Sequence, residues 1–237
     1  MNNSVFSNKR TIYQPKINID GLKIDCKQTM DGRVLLSKLP TDSIPLVFFD
    51  PQYRSILDKQ AYGNEGKRQK RRAELPQMSY ELIREFLKDI TRILLPSGHL
   101  MLWIDKYMLC TCYNELLKDL NLKIVDMMTW NKQKMGMGYR TRRFGEYLLI
   151  LQKPPIKAKG VWKLHNIPDV WDEKVCTINH THSKPVELQK QLILATTNED
   201  DLIVDPSAGS YSVLKATQSI NRHFIGCDIS EDINGIN

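Results

Sequence analysis

The chain has 237 residues, 41% hydrophobic and 26% charged, enough for one large domain or two small ones with a real core. Its longest apolar run, LMLWI at 100–104, is far too short to cross a bilayer, and the opening MNNSVFSNKR lacks the apolar stretch of a signal peptide. A cytoplasmic protein without membrane contact is expected. Cysteines at 26, 110, 112, 176 and 227 form an odd set without regular spacing, which argues against a disulfide framework. Cys110 and Cys112 lack a second pair, and His180 and His182 lack a carboxylate at ligand spacing, so no metal site is expected.

The formal net charge of +7 is uneven. Residues 131–163 carry nine Lys/Arg against one Glu, and residues 54–78 carry seven against three acids. Residues 164–237 carry five against eleven acids. Two basic stretches beside an acidic remainder point to a polyanionic partner on one face.

Along the chain, LVFF at 46–49 reads as a strand. Tyr80, Ile83, Phe86, Leu87, Ile90 and Leu94 recur at helical spacing over 80–95, and Pro96-Ser97-Gly98 ends that helix. A strand at 99–105, a helix at 107–120, and strands at 123–130 and 146–153 follow. The last two have no helix between them and fit an antiparallel edge pair. A helix fits 184–197, with Pro185 in its first turn. LIVD at 202–205, a helix at 210–221 and FIGCD at 224–228 complete the series. Strands alternating with helices predict an α/β fold with a mostly parallel, doubly wound sheet in a single domain. The stretch 61–77 has no periodicity and predicts a mobile basic loop over 54–78.

Two strands end alike, in Asp50-Pro51 and in Asp205-Pro206. Proline biases its predecessor to extended backbone, which places each acid at a strand tip. Ligands of open parallel sheets bind beyond those tips. Gly209 permits a close backbone approach to a ligand. Asp228 ends the next strand and is placed to bind ribose hydroxyls.

Together these motifs resemble the S-adenosylmethionine-dependent DNA amino-methyltransferases in their permuted β-group order, with the catalytic motif first and the cofactor motif last. Asp50-Pro51-Gln52-Tyr53 resembles the family's Asp-Pro-Pro-Tyr. Asp31 matches the acid that meets the cofactor's adenine. TWNKQ and RRFGEYLLILQK resemble later strands, and His180, Lys184 and Pro185 match a His-x-x-x-Lys-Pro element. DLIVDPSAGSYSVLKATQSINRHFIGCDIS, with Asp205, Pro206, Ser207, Ala208, Gly209, Ser210, Asp228 and Ile229, resembles the cofactor segment. The match spans about residues 20 to 232. Gln52 stands where the family has its second Pro, and Ser207-Ala208-Gly209-Ser210-Tyr211 where it usually has Phe-x-Gly-x-Gly.

The resemblance implies a Rossmann-like methyltransferase fold and methyl transfer from S-adenosylmethionine to adenine N6 in DNA. It places Asp50 and the Pro51 carbonyl as acceptors for the amino group, and Tyr53 as the ring that stacks on a flipped base. An initial Asp favours adenine over cytosine. Lys67, Arg68, Lys70, Arg71 and Arg72 in the loop, and Lys132, Lys134, Arg140, Arg142 and Arg143, are candidates for DNA contact. A short target-recognition segment falls at about 154–183. It fits a short target, weak sequence preference, or action as a homodimer or with a partner subunit. The alternatives are an RNA adenine methyltransferase, a cytosine-N4 enzyme, and a non-catalytic nucleic-acid-binding subunit.

Overall fold

The computed structural model describes residues 19, 21–52, 78–136, 141–175 and 183–229. Tyr53, Arg140, His180 and all of the predicted basic loop except Met78 lie outside them. The chain leaves at Gln52 and returns at Met78, whose N–H donates to the Gln52 carbonyl at 2.7 Å.

The elements in chain order are α1 (Gly32–Lys38), β1 (Ile44–Phe49), α2 (Tyr80–Ile93), β2 (Leu94–Ile104), α3 (Lys106–Thr111), α4 (Tyr113–Leu117), β3 (Lys123–Gly136), β4 (Arg143–Gln152), β5 (Val170–Asp172), α5 (Val186–Thr196), β6 (Leu202–Asp205), α6 (Ser212–Thr217) and β7 (His223–Gly226). The seven strands form one sheet in the order β5-β3-β4-β2-β1-β6-β7. β1 is parallel to β2 and β6, β6 to β7, and β3 to β5, while β4 is antiparallel to both β2 and β3. β4 is therefore the reversed strand of an otherwise parallel sheet.

Alternation along each strand feeds two cores. Val47 and Phe49 of β1 face α1 and α2 with Leu36, Phe86 and Ile90. Leu46 and Phe48 face α5 and α6 with Leu188, Leu192 and Val213. This is the period of two expected of a strand buried on both faces. The helices start where their caps allow. Asp31 accepts from Arg33 N, Ser79 from Leu82 N, and Asp105 from Met108 N.

Four sequence expectations change. The antiparallel pair is present but not at the edge, because Val170–Asp172 adds a parallel strand outside β3. Pro96-Ser97-Gly98 is not a break between helix and strand. α2 stops at Ile93, and the three residues form an irregularity inside β2, where pairing with β1 jumps from Ile44↔Leu94 to Leu46↔His99. Lys153 Nζ donates there to the Thr91 and Leu94 carbonyls at 2.7 and 2.9 Å, capping the end of α2. The helix expected at 107–120 is two short helices that meet at Cys112. Pro185 is the N-cap of α5 rather than a residue of its first turn.

Candidate active site

β1 and β6 are adjacent and parallel, with Leu46 opposite Ile203 and Val47 opposite Val204. β1 leads through α2 to β2 on one side, and β6 leads through α6 to β7 on the other. Their carboxyl ends thus share the point where strand order reverses, the usual ligand crevice of such sheets. The two Asp-Pro turns meet there. Asp50 N–H donates to Ser207 Oγ, and Ser207 Oγ–H donates to the Asp50 carbonyl, each at 3.3 Å. Ser207 N–H donates to Asp205 Oδ1 at 3.1 Å. Asp205 is buried rather than exposed at the rim. Burial, with lesser pushes from the Asp50 and Asp228 charges and against the Ser207 N–H, drives its carboxyl up to about 8.

Asp50 is also held through its side chain. Lys184 Nζ lies 3.1 Å from Asp50 Oδ2 and 2.8 Å from Glu146 Oε2. Lys132 Nζ lies 3.1 Å from Glu146 Oε1. The Lys184 ammonium also sits 4.9 Å from the centroid of the Trp103 ring. Burial would lower the lysine's affinity for its proton, but the Asp50 and Glu146 charges overcome that and raise it. Burial would likewise raise the Glu146 carboxyl, and the two ammonium groups bring it down to about 2. Lys184 and Glu146 are therefore both ionised around neutral pH.

Beyond Ser207 the turn faces a second set of groups. Gly209 has φ +47°, and a Cβ there would meet nothing within 4 Å, so the backbone lies open to a ligand. Its N–H donates to Asp228 Oδ2 at 3.0 Å. Residues 28–30 run alongside Asp228, with Met30 N–H on the Asp228 carbonyl at 3.1 Å. Tyr211 has φ 55° and ψ 39°. Its phenol donates to the Gln28 carbonyl at 2.9 Å and accepts from the Gln28 N–H at 3.3 Å. A cavity of about 420 Å³ opens here, lined by Lys27, Gln28, Thr29, Met30 and Tyr211 among others. Ala208 is buried with its N–H on the Cys227 carbonyl, Ser210 Oγ bonds Ser183 Oγ at 3.2 Å, and Ile229 is 59% exposed beside Asp228.

Asp31 caps α1 and is bound by the Arg33 guanidinium at 2.7 Å. The side-chain bond to Arg33, against a smaller effect of burial, holds its carboxyl below the usual range. Gly32, next in the chain, fits against the Asp205-Pro206 turn. A Cβ there would fall 2.2 Å from the Pro206 carbonyl oxygen, so only glycine lets α1 approach.

The structure therefore brings Asp50, Lys184, Asp205, Ser207, Gly209 and Asp228 together at the neighbouring carboxyl ends of β1, β6 and β7. Lys132, expected to contact DNA, turns to Glu146, and Lys184, expected to serve the cofactor, is bound to Asp50. Lys134, near the end of β3, and Arg142, just before β4, are exposed, and Arg143 is half-buried. Glu146, Trp103 and Gly32 were not singled out from the sequence. Glu146 did carry one signal, as the lone acid within 131–163. Among the described residues, no cluster of three or more His, Cys, Asp or Glu is placed to hold a metal ion, and no helix is long and apolar enough to cross a membrane.

Known proteins share this fold and much of this sequence. The chain is 55% identical over 208 residues to the type II methyltransferase M.HhaII of Haemophilus parahaemolyticus, covering 87% of this chain and 91% of that protein. Its fold is similar to that of the cytosine-N4-specific PvuII DNA methyltransferase, with a TM-score of 0.67 at 16% identity over 89% of this chain and 87% of that one. It is also similar to M1.HpyAVI in its SAM complex, with a TM-score of 0.60 at 16% identity over 86% and 92%. The N6_N4_Mtase family, described as DNA methylase, matches residues 44–236. A Rossmann-like α/β chain with that family match and that relative belongs to the DNA methylase family.

Proposed function

We propose that this chain is a site-specific DNA methyltransferase of the restriction-modification type. It transfers a methyl group from S-adenosylmethionine to the N6 amino group of adenine. The observation that supports this reading is the joining of the two Asp-Pro turns by Ser207, with Asp50 taken to face the base and the 206–209 turn the cofactor. The likeness to M.HhaII supports methyl transfer. The aspartate that opens the 50–53 motif supports adenine.

The residues fit the cofactor. The open Gly209 backbone and the Asp228 carboxylate are suited to a nucleoside, with Asp228 for its hydroxyls and Ile229 as an apolar neighbour. When bound, S-adenosylmethionine supplies a sulfonium methyl that the amino lone pair takes while the carbon–sulfur pair returns to sulfur. The chain's own task is to make that lone pair available. The exocyclic nitrogen is a weak nucleophile because its lone pair is delocalised into the ring. The Asp50 carboxylate and the Pro51 carbonyl accept its two N–H groups and draw it towards tetrahedral geometry. The nitrogen keeps both protons until the new bond forms, and one then leaves by way of Asp50 to water. Tyr53, two residues beyond Pro51 in the sequence, is assigned the stacking on the base once it has left the duplex.

Incubation with tritiated S-adenosylmethionine and unmethylated genomic DNA, followed by nucleoside analysis, tests the reading. N6-methyladenine is expected, and N4-methylcytosine would overturn the base assignment while leaving the transferase. Asp50→Ala should lose at least roughly 10²–10³-fold in rate and bind the cofactor as the wild type does. Retained turnover would reject the role given to Asp50.

A further inference from the structure

Glu146 has no task in the chemistry above, yet it is joined to Asp50 through Lys184. It sits on β4 opposite Trp130. Its Oε2 is 2.8 Å from Lys184 Nζ and its Oε1 is 3.1 Å from Lys132 Nζ. Lys184 in turn reaches Asp50 Oδ2 at 3.1 Å. An ammonium has three N–H donors. Here two carboxylates draw it from two sides, and the face of Trp103, 4.9 Å away, closes another. Lys184 is held between two acids rather than laid upon one.

That arrangement matters to Asp50. A flexible lysine facing a single carboxylate settles across both oxygens, where it competes with any incoming N–H donor. A second carboxylate behind the ammonium pulls it back towards one oxygen. Lys132 balances the remaining charge, so two cations and two acids meet in the crevice. We propose that Glu146 is a positioning residue of the methyl transfer: it seats Lys184 at Oδ2 of Asp50 and so keeps that carboxylate oriented towards the base instead of straddled by the ammonium. The role rests on the methyl-transfer reading of Asp50.

The test uses the full chain, tritiated S-adenosylmethionine and unmethylated genomic DNA, with cofactor affinity measured separately by calorimetry. Glu146→Gln should lower kcat by on the order of 10²-fold at unchanged cofactor affinity. Adding Lys184→Met to that variant should restore part of the lost rate, because the straddling ammonium is then gone. Wild-type kcat in Glu146→Gln, a parallel loss of cofactor affinity, or a double variant no faster than the single one would each overturn the role. If Glu146→Gln fails to fold, Glu146→Asp keeps the charge and shortens the reach. It should also lose kcat, and wild-type turnover there would show that charge balance alone suffices and would overturn the role. A wild-type chain that methylates no DNA would instead reject the transferase reading beneath it.

Discussion

Tyr211 stands in left-handed backbone, a conformation that costs a residue with a side chain about 1–3 kcal/mol. Such a position favours glycine, and the resembling family places its second glycine here. The tyrosine is held in place by its ring, which is buried, packs edge-on against Phe224 and bonds both backbone groups of Gln28. The departure from the motif, legible as a mismatch in the sequence, is thus a compensated one. The reason lay in Gln28, 183 residues away, where no local pattern could show it. Asp205 is a second case. Its position at a strand end was readable, its burial was not, since the turn that covers it is built from Ser207. Its folded-state pKa is raised from 3.8 to about 8, so the folded chain holds this proton more tightly than the unfolded chain does. The associated stabilisation is complete below 3.8 and is lost as pH rises through about 8. Asp205→Asn, which keeps the acceptor for Ser207 N–H, should therefore melt at a higher temperature than the wild type at alkaline pH. Thermal melts across the pH range should show that gap closing towards acid. Glu146 works in the opposite sense. Its pKa is lowered from 4.5 to about 2, so its contribution is present above 4.5 and lost as pH falls through about 2.

Among the elements, α5 shows how a helix can be capped from outside its own sequence. Its N-cap, Pro185, makes no side-chain cap. Glu173, which follows β5, supplies one: its Oε1 accepts from Glu187 N–H at 3.1 Å and its Oε2 from Leu188 N–H at 3.0 Å. Trp171 Nε1 donates to the same carboxylate at 2.8 Å, and Trp130 Nε1 donates to the Glu173 carbonyl at 2.7 Å. The start of the helix, one residue after Lys184-Pro185, is thus fastened to the edge of the sheet. Glu173→Ala should cost about 0.5–2 kcal/mol of stability, the usual range for removal of a cap, seen as a lowered urea midpoint. The elements that sequence made legible are those with a strong period, such as β1, α2 and β6. β5 was not, because a run of three residues is too short to carry a readable period. The break at Cys112 was equally hidden, since both short helices continue one apolar stripe.

For the molecule as a whole, the order of strands and helices was legible because each strand feeds two cores with alternating residues. The site was legible as far as its strand-tip acids. The lysine clamp was not, because it joins side chains from β3, β4 and the approach to α5, and only the sheet order brings these together. Charge at this scale gives one further expectation, which rests on the proposed DNA substrate. Lys134 and Arg142 are exposed and belong to the basic stretch 131–163. Replacing either with Ala should weaken DNA binding at low salt and reduce the slope of log K against log salt by about 0.9 for each phosphate that the side chain neutralises. Fluorescence anisotropy across a salt series measures it, and an unchanged slope would remove that residue from the DNA-facing surface. The Ser207 hydroxyl has a consequence at the same scale. It bridges two stretches 157 residues apart by holding the Asp50 backbone at both N–H and carbonyl. On the proposed function, this bridge fastens the turn that would hold the methyl donor to the turn that would hold the base. On that reading, any change that binding of one ligand makes in this bridge would alter affinity for the other, by the same factor in both directions.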